Sequence, residues 1–306
     1  MIATRESYGN AMAELGKKYK NVVVLDADLA EATKTINFKN KFPKRFFDIG
    51  IAEQDLMGTA AGLALEGKIP FASTFAIFAA GRAYEQIRNI IAYSKLNVKI
   101  AATHAGITVG EDGASHQSFE DLTLMRVIPG MTIFSPCDDF ETRWAIEEAI
   151  KINGPVYIRL TRPKVNEVYN QKTKFEFGKA ITHGKGTDAT VIATGLMVQE
   201  ALKAKEILEK ENINIRVIDV HTIKPIDKEI IIKAAKETKK IITIEDHSII
   251  GGLGSAVCEV LSETYPVKVE RIGIKDEFGQ SGKWKELLKY YGLTCDDIVK
   301  KVKEKW

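Results

Sequence analysis

The sequence predicts an α/β protein with two domains, a doubly wound parallel-sheet domain followed by a smaller α/β domain. Three observations support this prediction. Short continuous apolar runs alternate with helical patterns, as expected of strands that are buried on both faces of a parallel sheet. A polar stretch without periodicity interrupts this alternation near the middle of the chain. The length of 306 residues is sufficient for two cores of ordinary size.

The first domain is expected to span residues 1–165. Its predicted strands are the apolar runs Val22–Leu25, Phe71–Ser73, Val98–Ala102, Thr132–Phe134 and Val156–Leu160. The helical patterns between them are Ser7–Lys18, Glu53–Leu65, Ala79–Ala92 and Asp138–Lys151.

Residues 166–180 are expected to form a linker, since the segment that follows Pro163 is polar and aperiodic. The second domain is expected over residues 181–306. Its predicted strands are Thr190–Ala193, Ile215–Val220, Ile241–Ile244 and Val267–Ile272. Its predicted helices are Gln199–Glu211, Lys228–Glu237, Ser255–Glu263, Lys283–Tyr291 and Asp296–Glu304.

Composition excludes several functional classes. The balance of 44 basic and 41 acidic residues, with no long basic run, argues against a dedicated nucleic-acid binder. No signal-like apolar run occurs at the N-terminus and no stretch approaches the roughly 20 apolar residues of a membrane span. The three cysteines are far apart and form no CxxC pair, so neither a disulfide framework nor a zinc site is expected. These features predict a cytoplasmic protein without membrane contact.

Glu53 is the first of three candidate site features. Ligands of open parallel sheets bind at the carboxyl ends of the strands, and all three features lie beside a predicted strand end. Glu53 opens a helix made mostly of Ala, Gly, Leu and Met, which predicts burial nearly all round. A carboxyl group at the mouth of a buried helix needs a partner, although an acid in the first turn can also simply stabilise the helix dipole.

The second and third features are an aromatic pair and a glycine-rich loop. Phe75 and Phe78 lie at a strand-to-helix turn, where they form either plain core or a flat slot for a heteroaromatic ring. His104 follows a predicted strand, and the loop after it carries Asp112 and His116. Such a dense polar loop favours a functional role. Its spacing fits no common zinc pattern, so hydrogen bonding to hydroxyl groups explains it better.

Together these segments resemble the transketolase family. GIAEQ is similar to the glutamate motif of the family's pyrimidine-binding domain, STFAIF to its aromatic cofactor slot, and THAGITVGEDGASHQ to its substrate loop. The three segments occur in the family's order and separation. The resemblance covers essentially the whole chain, with a pyrimidine-binding domain over 1–165 and a transketolase C-terminal domain over 181–306.

The resemblance implies that the chain binds thiamine diphosphate. Glu53 would contact N1′ of the aminopyrimidine and favour the tautomer that removes the proton from the thiazolium carbon. Phe78 would lie against the pyrimidine ring, and Phe75 would line the same pocket. Asp28, in the loop after the first strand, matches a position near the cofactor.

The resemblance also implies a site for sugar phosphates. Asp112 would contact a sugar hydroxyl, and His116 would bind the hydroxyls of the two-carbon unit. Arg5, His104 and Arg162 match positions that hold the sugar phosphate, a task that suits arginine because it contacts phosphate oxygens in pairs. The expected catalytic residues are Glu53, His104 and His116.

Two departures from the family pattern bear on the diphosphate end of the cofactor. Ala32 falls where the family often has a phosphate-binding serine, with Thr33 as a substitute. The family's GDG segment, which with a later asparagine holds the diphosphate and Mg²⁺, occurs nowhere in this chain. We therefore expect those ligands on a separate N-terminal transketolase subunit. The cofactor would lie across the interface of a two-fold heterotetramer, and no metal ligands are expected on this chain.

The reaction implied is transfer of a two-carbon ketol unit from a ketose phosphate to an aldose phosphate. A subunit like deoxyxylulose-phosphate synthase and a split transketolase for an unusual sugar remain alternatives. GIAEQ and THAG lean toward the synthase, whereas His104 with GEDG–SHQ leans toward transketolase. A non-catalytic partner-binding subunit is the third alternative, and retention of the whole residue set argues against it.

Overall fold

The computed structural model describes residues 1–238 and 240–304, and it confirms a mixed α/β architecture built on two sheets. The expected second domain, 181–306, includes three residues that lie outside the described part, Lys239, Lys305 and Trp306.

The larger sheet has seven strands, of which six are parallel. Numbered in chain order, they are β2 (Val22–Asp26), β3 (Phe46–Asp48), β4 (Ile69–Phe75), β5 (Lys99–Thr103), β6 (Thr132–Phe134), β7 (Val156–Arg159) and β12 (Thr222–Lys224). Their order across the sheet is β12-β6-β7-β5-β4-β2-β3, with β12 antiparallel to β6. All five apolar runs predicted for this half are strands of this sheet. Their residues are buried throughout β2, β4, β5, β6 and β7, as a sheet covered on both faces requires.

Helices cover both faces of this sheet. They are α1 (Thr4–Lys18), α2 (Ala30–Thr33), α3 (Ile36–Lys41), α4 (Glu53–Leu65), α5 (Asp121–Arg126) and α6 (Asp139–Lys151). On one face α1 packs against α3 and α6 over a core that includes Tyr8 and Phe38. On the other face α4 buries Leu56 and Met57. The N-cap of α6 is Asp138, whose carboxylate accepts the Glu141 backbone N–H at 2.9 Å.

The stretch predicted as one regular helix, Ala79–Ala92, is built differently. It contains two π-helical segments, Phe78–Arg82 and Gln86–Ala92. In the first, the backbone N–H of Ala83 donates to the Phe78 carbonyl at 3.2 Å, which closes an i→i+5 turn. Such turns take up one extra residue and often occur at functional sites. An apolar helical pattern does not distinguish the two kinds of turn, so the prediction of a regular helix was wrong here.

The smaller sheet has five strands. They are β9 (Ile181–His183), β10 (Ala189–Ala193), β11 (Ile215–Asp219), β13 (Ile241–Ser248) and β14 (Val269–Ile274), in the order β14-β13-β10-β11-β9 with β9 antiparallel. Its helices are α7 (Met197–Glu209), α8 (Lys228–Thr238), α9 (Leu253–Thr264), α10 (Trp284–Tyr290) and α11 (Cys295–Lys303). The pair α7 and α11 packs together, as does the pair α8 and α9. Every element predicted for this half is present, with ends shifted by a few residues.

The segment between the two sheets is irregular but anchored. Tyr169 is buried, and the backbone N–H groups of Val168 and Tyr169 donate to the Asp138 carboxylate at 2.9 and 2.8 Å. Strand β12 crosses from the second half to pair with β6. Arg159 also joins the halves, because it pairs with Asp121 of its own half at 2.9 Å and donates to the Asp246 carbonyl of the second half at 2.7 Å. The two halves therefore share polar contacts as well as apolar packing.

A separate two-stranded sheet joins the N-terminus to the end of the first half. Strands β1 (Ile2–Ala3) and β8 (Lys164–Val165) are antiparallel.

Within the described residues no helix combines the length and the hydrophobicity that a membrane crossing requires. All three cysteines are free thiols, and Cys137 is buried.

Candidate functional site

Four rings predicted to belong to the site lie together at the carboxyl edge of the larger sheet. Phe75 ends β4, Phe78 begins the first π-helical segment, and His104 follows β5. The ring centroids of Phe75 and Phe78 are 5.8 Å apart and nearly parallel, and those of Phe75 and His104 are 3.9 Å apart. His116 approaches Phe78 edge-on at 5.4 Å. The structure therefore brings the aromatic pair and the histidine loop into one cluster, as expected.

Glu53 lies beside this cluster and has a partner that the sequence did not identify. Its side chain is 2% exposed, and Arg82 Nη1 contacts both carboxylate oxygens, at 2.8 and 2.9 Å. The same guanidinium lies over the Phe78 ring, 4.6 Å from its centroid. The prediction that this buried acid needs a partner is met by an arginine that also contacts the aromatic slot.

His104 is held in a strained and positively charged setting. Its φ is +56°, a left-handed conformation that is uncommon outside glycine. Its Nδ1 lies 2.9 Å from the Thr103 hydroxyl, and its Nε2 lies 3.4 Å from Arg5 Nη1. Burial, followed by the positive charges of Arg5 and Arg162, lowers the pKa of His104 to about 3. The imidazole is therefore neutral near pH 7 and can both donate and accept a hydrogen bond.

Arg5 and Arg162 are brought together by the pairing of β1 with β8. The Thr4 hydroxyl accepts the Thr161 backbone N–H at 2.7 Å, which fixes the two segments side by side. Arg5 donates to the Ala32 carbonyl at 2.7 Å. Arg162 donates to the Val109 carbonyl and pairs with Glu111 at 2.9 Å. Both guanidinium groups act electrostatically on His104, so they form one basic group at this end of the site.

The loop between His104 and His116 is supported by the second half of the chain. The Asp246 carboxylate accepts the Ile107 backbone N–H at 2.8 Å, and the side chain of Gln117 donates to the Gln280 carbonyl at 3.0 Å. Gly106 has a φ of +77°, and a Cβ there would lie 2.1 Å from Asp246 Oδ2. The loop thus needs glycine at this position because the backbone passes directly over the buried carboxylate.

Asp112 and His116 differ in exposure along this loop. Asp112 is exposed, whereas His116 is half-buried with its Nδ1 3.0 Å from the Ser115 hydroxyl. Both side chains are therefore accessible to solvent, and His116 is the one that contacts the ring cluster.

Asp28 lies at the end of β2 and apart from the ring contacts. It is exposed with a φ of +60°, and its backbone N–H donates to Asp48 Oδ1 at 3.1 Å.

Thr33 does not suit the phosphate-binding role considered for it. Its hydroxyl is buried and donates to Asp26 Oδ2 at 2.7 Å. Burial raises the pKa of Asp26 to about 6, although the hydrogen bonds from the Thr33 hydroxyl, the Leu29 backbone N–H and the Thr35 hydroxyl lower it.

Two cationic residues of the site were missed from the sequence. Arg82 lies within the aromatic segment, but a helix-period pattern gives no indication that its guanidinium turns back toward Glu53. Lys34 has a φ of +70°, and its charge also lowers the pKa of His104. No sequence signal separates this lysine from the many that lie on the surface.

One other group of side chains in the described residues has the types found at metal sites. Cys137, Glu141 and Asp219 are all buried, with potential ligand atoms within 4.8 Å of one another. The thiol of Cys137 donates to Asp219 at 3.5 Å, and burial raises the pKa of Asp219 to about 7. Burial likewise raises the pKa of Glu141 well above its usual range. The raised pKa values of the two carboxyl groups favour their protonated forms. The cluster connects α6 to β11 and lies outside the ring cluster.

The fold and this sheet edge define a two-domain α/β protein with a cluster of aromatic and charged side chains at the carboxyl edge of its larger sheet. Residues 1–167 match the family model for the transketolase pyrimidine binding domain, and residues 178–298 match that for the transketolase C-terminal domain. The chain therefore belongs to the transketolase family.

Relatives of similar length support the same conclusion. The chain is 54% identical over 303 residues to a proposed transketolase C-terminal section of Methanocaldococcus jannaschii, covering 98% of this chain and 95% of that protein. It is 41% identical over 300 residues to the 6-deoxy-6-sulfo-D-fructose transketolase subunit SqwH of a Clostridium species, covering 98% and 93%. A solved split-gene transketolase, described as an inactive β4 tetramer, superimposes with a TM-score of 0.93 at 55% identity. That match covers 99% of this chain and 97% of the solved chain.

Proposed function

We propose that the chain is the C-terminal subunit of a transketolase dependent on thiamine diphosphate, and that it transfers a two-carbon ketol unit from a ketose phosphate to an aldose phosphate. The observation that carries the proposal is the Glu53 carboxylate. It already holds the N–H of a planar cation against the Phe78 ring, beside His104 and His116. A buried carboxyl group next to an aromatic face offers the hydrogen-bonding group and the stacking surface that an aminopyrimidine ring requires.

Glu53 and the phenylalanines supply the cofactor end of the proposed site. Glu53 would hold a proton at N1′ of the aminopyrimidine, and its 2% exposure would keep water from competing for that position. Phe78 and Phe75 would orient the ring plane. When bound, thiamine diphosphate supplies the nucleophilic carbon that adds to the sugar carbonyl. Asp28 is proposed near the cofactor from its place after β2.

The histidines and arginines supply the sugar end. His104 is neutral and buried, so it can hydrogen-bond sugar oxygens without bringing a charge into the site. His116 and Asp112 would bind the hydroxyls that distinguish one sugar from another. Arg5 and Arg162 would hold the terminal anionic group, because their charges already converge on one end of the cluster.

A second polypeptide is proposed to hold the diphosphate and Mg²⁺. Thr33 is committed to Asp26, so the loop after β2 offers no free hydroxyl at that position. The split-gene relative at 55% identity forms a β4 tetramer that is inactive, which is consistent with a requirement for another subunit. We propose that this chain pairs with an N-terminal transketolase subunit in a two-fold heterotetramer.

A second candidate substrate is a sugar that ends in a sulfonate. The relative in Clostridium, at 41% identity, is a subunit for 6-deoxy-6-sulfo-D-fructose. A sulfonate and a phosphate are both tetrahedral oxyanions, and two arginines suit either of them. The basic group formed by Arg5 and Arg162 therefore favours a sugar with an anionic end, but it does not discriminate between phosphate and sulfonate.

The proposal is tested by mixing the chain with its diphosphate-binding partner, cofactor and Mg²⁺. We expect ketol transfer from the mixture and none from the chain alone. Glu53→Gln should reduce turnover by about 10²-fold or more, the usual contribution of a positioned acid or base. Asp55→Asn is the matched control, because Asp55 is an exposed acid on the same helix turn, and it should retain turnover.

Separate substrates distinguish the alternatives in the same assay. Ketose phosphates and sulfo-ketoses test the two anions side by side. Consumption of pyruvate with release of carbon dioxide would instead indicate the synthase. Full activity of Glu53→Gln, or no ketol transfer from the mixture with any of these sugars, would contradict the proposed function.

A further inference from the structure

Arg82 makes two contacts at once in the structure, and both involve residues of the proposed cofactor slot. Its Nη1 contacts the two Glu53 oxygens at 2.8 and 2.9 Å. Its guanidinium carbon lies 4.6 Å from the centroid of the Phe78 ring. The Glu53 side chain is 2% exposed, whereas that of Arg82 is 49% exposed. The guanidinium is therefore inserted from the solvent side.

These are the contacts that the proposed function assigns to the aminopyrimidine ring. Both groups are planar, and both would place a flat face on Phe78. Each would also share a proton with a Glu53 oxygen, the guanidinium through its N–H and the aminopyrimidine through the proton held at N1′. One carboxylate and one ring face cannot serve two such groups at the same time. We propose that Arg82 occupies the aminopyrimidine's place in the cofactor-free chain and must be displaced when the cofactor binds. This inference rests on the proposed function.

The local backbone allows such a displacement. Arg82 ends the π-helical segment that begins at Phe78, next to Gly81. A Cβ at Gly81 would have only Ile77 Cδ1 nearby, at 3.8 Å, so there is open space around this turn. The Gln54 side chain donates to the Arg82 carbonyl at 3.4 Å, a weak tether from the helix that carries Glu53. The half-exposed side chain can swing toward solvent without disturbing the core.

The ion pair has opposite effects on folding and on binding. Without Arg82 the buried carboxylate of Glu53 would have no partner in the cofactor-free chain, which is unfavourable. Arg82 therefore stabilises the unloaded chain. Because the slot is closed while the pair is formed, the apparent dissociation constant of the cofactor rises in proportion. Arg82 is thus a positioning residue that holds the Glu53 side chain in the cofactor-free chain and weakens cofactor binding.

Replacing Arg82 with Met tests this inference, since Met retains an apolar stem and loses the guanidinium. Thiamine diphosphate binding to the complex of chain and partner subunit is measured by calorimetry, and thermal unfolding of the chain alone is followed in parallel. We expect Arg82→Met to bind the cofactor about fivefold to thirtyfold more tightly, equivalent to about 1–2 kcal/mol. The melting temperature of the unloaded chain should fall.

Arg88→Met is the matched control. Arg88 is exposed on the next π-helical segment and donates to its neighbour Asn89, so neither quantity should change. A purely structural role for Arg82 would lower the melting temperature without tightening binding. If Arg82→Met does not fold, Arg82→Lys keeps the charge without the planar fork and should still bind the cofactor more tightly, by a smaller factor.

Three results separate the possible outcomes. Unchanged or weaker cofactor affinity in the Arg82 variants, with normal binding by the wild type, would overturn this inference alone. A crystal structure of the loaded complex with Arg82 still on Glu53 would overturn it as well. Failure of the wild-type complex to bind thiamine diphosphate would refute the proposed function instead.

Discussion

Replacing Gly106 with alanine should weaken the packing of the loop between His104 and His116 against Asp246 of the second half of the chain. Gly106 has φ +77° and ψ −169°, a region occupied almost only by glycine. Forcing alanine there costs about 1–3 kcal/mol. The new Cβ would also lie 2.1 Å from Asp246 Oδ2 and 2.4 Å from its Cγ. The carboxylate must then move off the Ile107 N–H, and a buried acceptor without its donor costs about 1–3 kcal/mol more.

The expected loss for Gly106→Ala is therefore about 2–6 kcal/mol in the free energy of unfolding. Urea unfolding followed by circular dichroism measures it. Gly67→Ala is the control, because Gly67 has the same φ of +77° and nothing within 4 Å of a Cβ. Repeating Gly106→Ala in an Asp246→Ala background removes the obstructing carboxylate and should recover part of the loss. Equal destabilisation by the Gly67 and Gly106 variants would refute the reasoning.

Two further stability predictions follow from buried titratable groups. His104 has its pKa lowered to about 3, so below pH 6.5 the unfolded chain takes up a proton that the folded chain refuses, and stability falls as the pH falls. At pH 5 this amounts to about 2 kcal/mol, and His104→Gln should lose less stability than the wild type between pH 7 and pH 5 in urea titrations. A parallel decline in both proteins would show that His104 is not the titrating group. Arg159→Met leaves the buried Asp121 carboxylate without its charged partner. It keeps the Tyr157 hydroxyl at 2.9 Å and has His247 Nε2 at 4.0 Å, and we expect a loss of about 3–5 kcal/mol. Asp121→Asn in the same chain should restore part of it, and a double variant no more stable than Arg159→Met would argue against the ion pair as the cause.

The sequence predicted the regular part of the fold because burial in a parallel sheet leaves a simple pattern. Runs such as Val22–Leu25 and Val156–Leu160 are apolar throughout, and both are strands. Short edge elements leave no such pattern. Strand β12 pairs with β6 through only a few residues of the second half, and nothing in its composition indicates that partner. The π-helical turn at Phe78 was missed because its apolar residues fit a regular helix equally well.

The candidate site was predictable where residue types carry the information. Glu53, Phe75, Phe78 and His104 come together because each lies at the end of a strand or the start of a helix on one sheet edge. His116 joins them from the loop that follows His104. Arg82 and Lys34 were missed for a physical reason. A long cationic side chain reaches several ångströms from its backbone, so its position in the sequence does not show which acid or ring it meets.

The second half of the chain takes part in the site by supporting it, since the groups proposed to contact cofactor and substrate all come from the first half. Asp246 fixes the Ile107 N–H, and Gln280 accepts from Gln117, so both ends of the substrate loop are held by residues beyond 240. A Cβ at Gly113, midway along the loop, would lie 2.5 Å from the Ser281 hydroxyl, which shows how closely the two halves meet there. A loop fixed at three points loses little conformational entropy when a sugar binds. We therefore expect the second half of the chain to contribute to sugar affinity, although it supplies none of the proposed contacts.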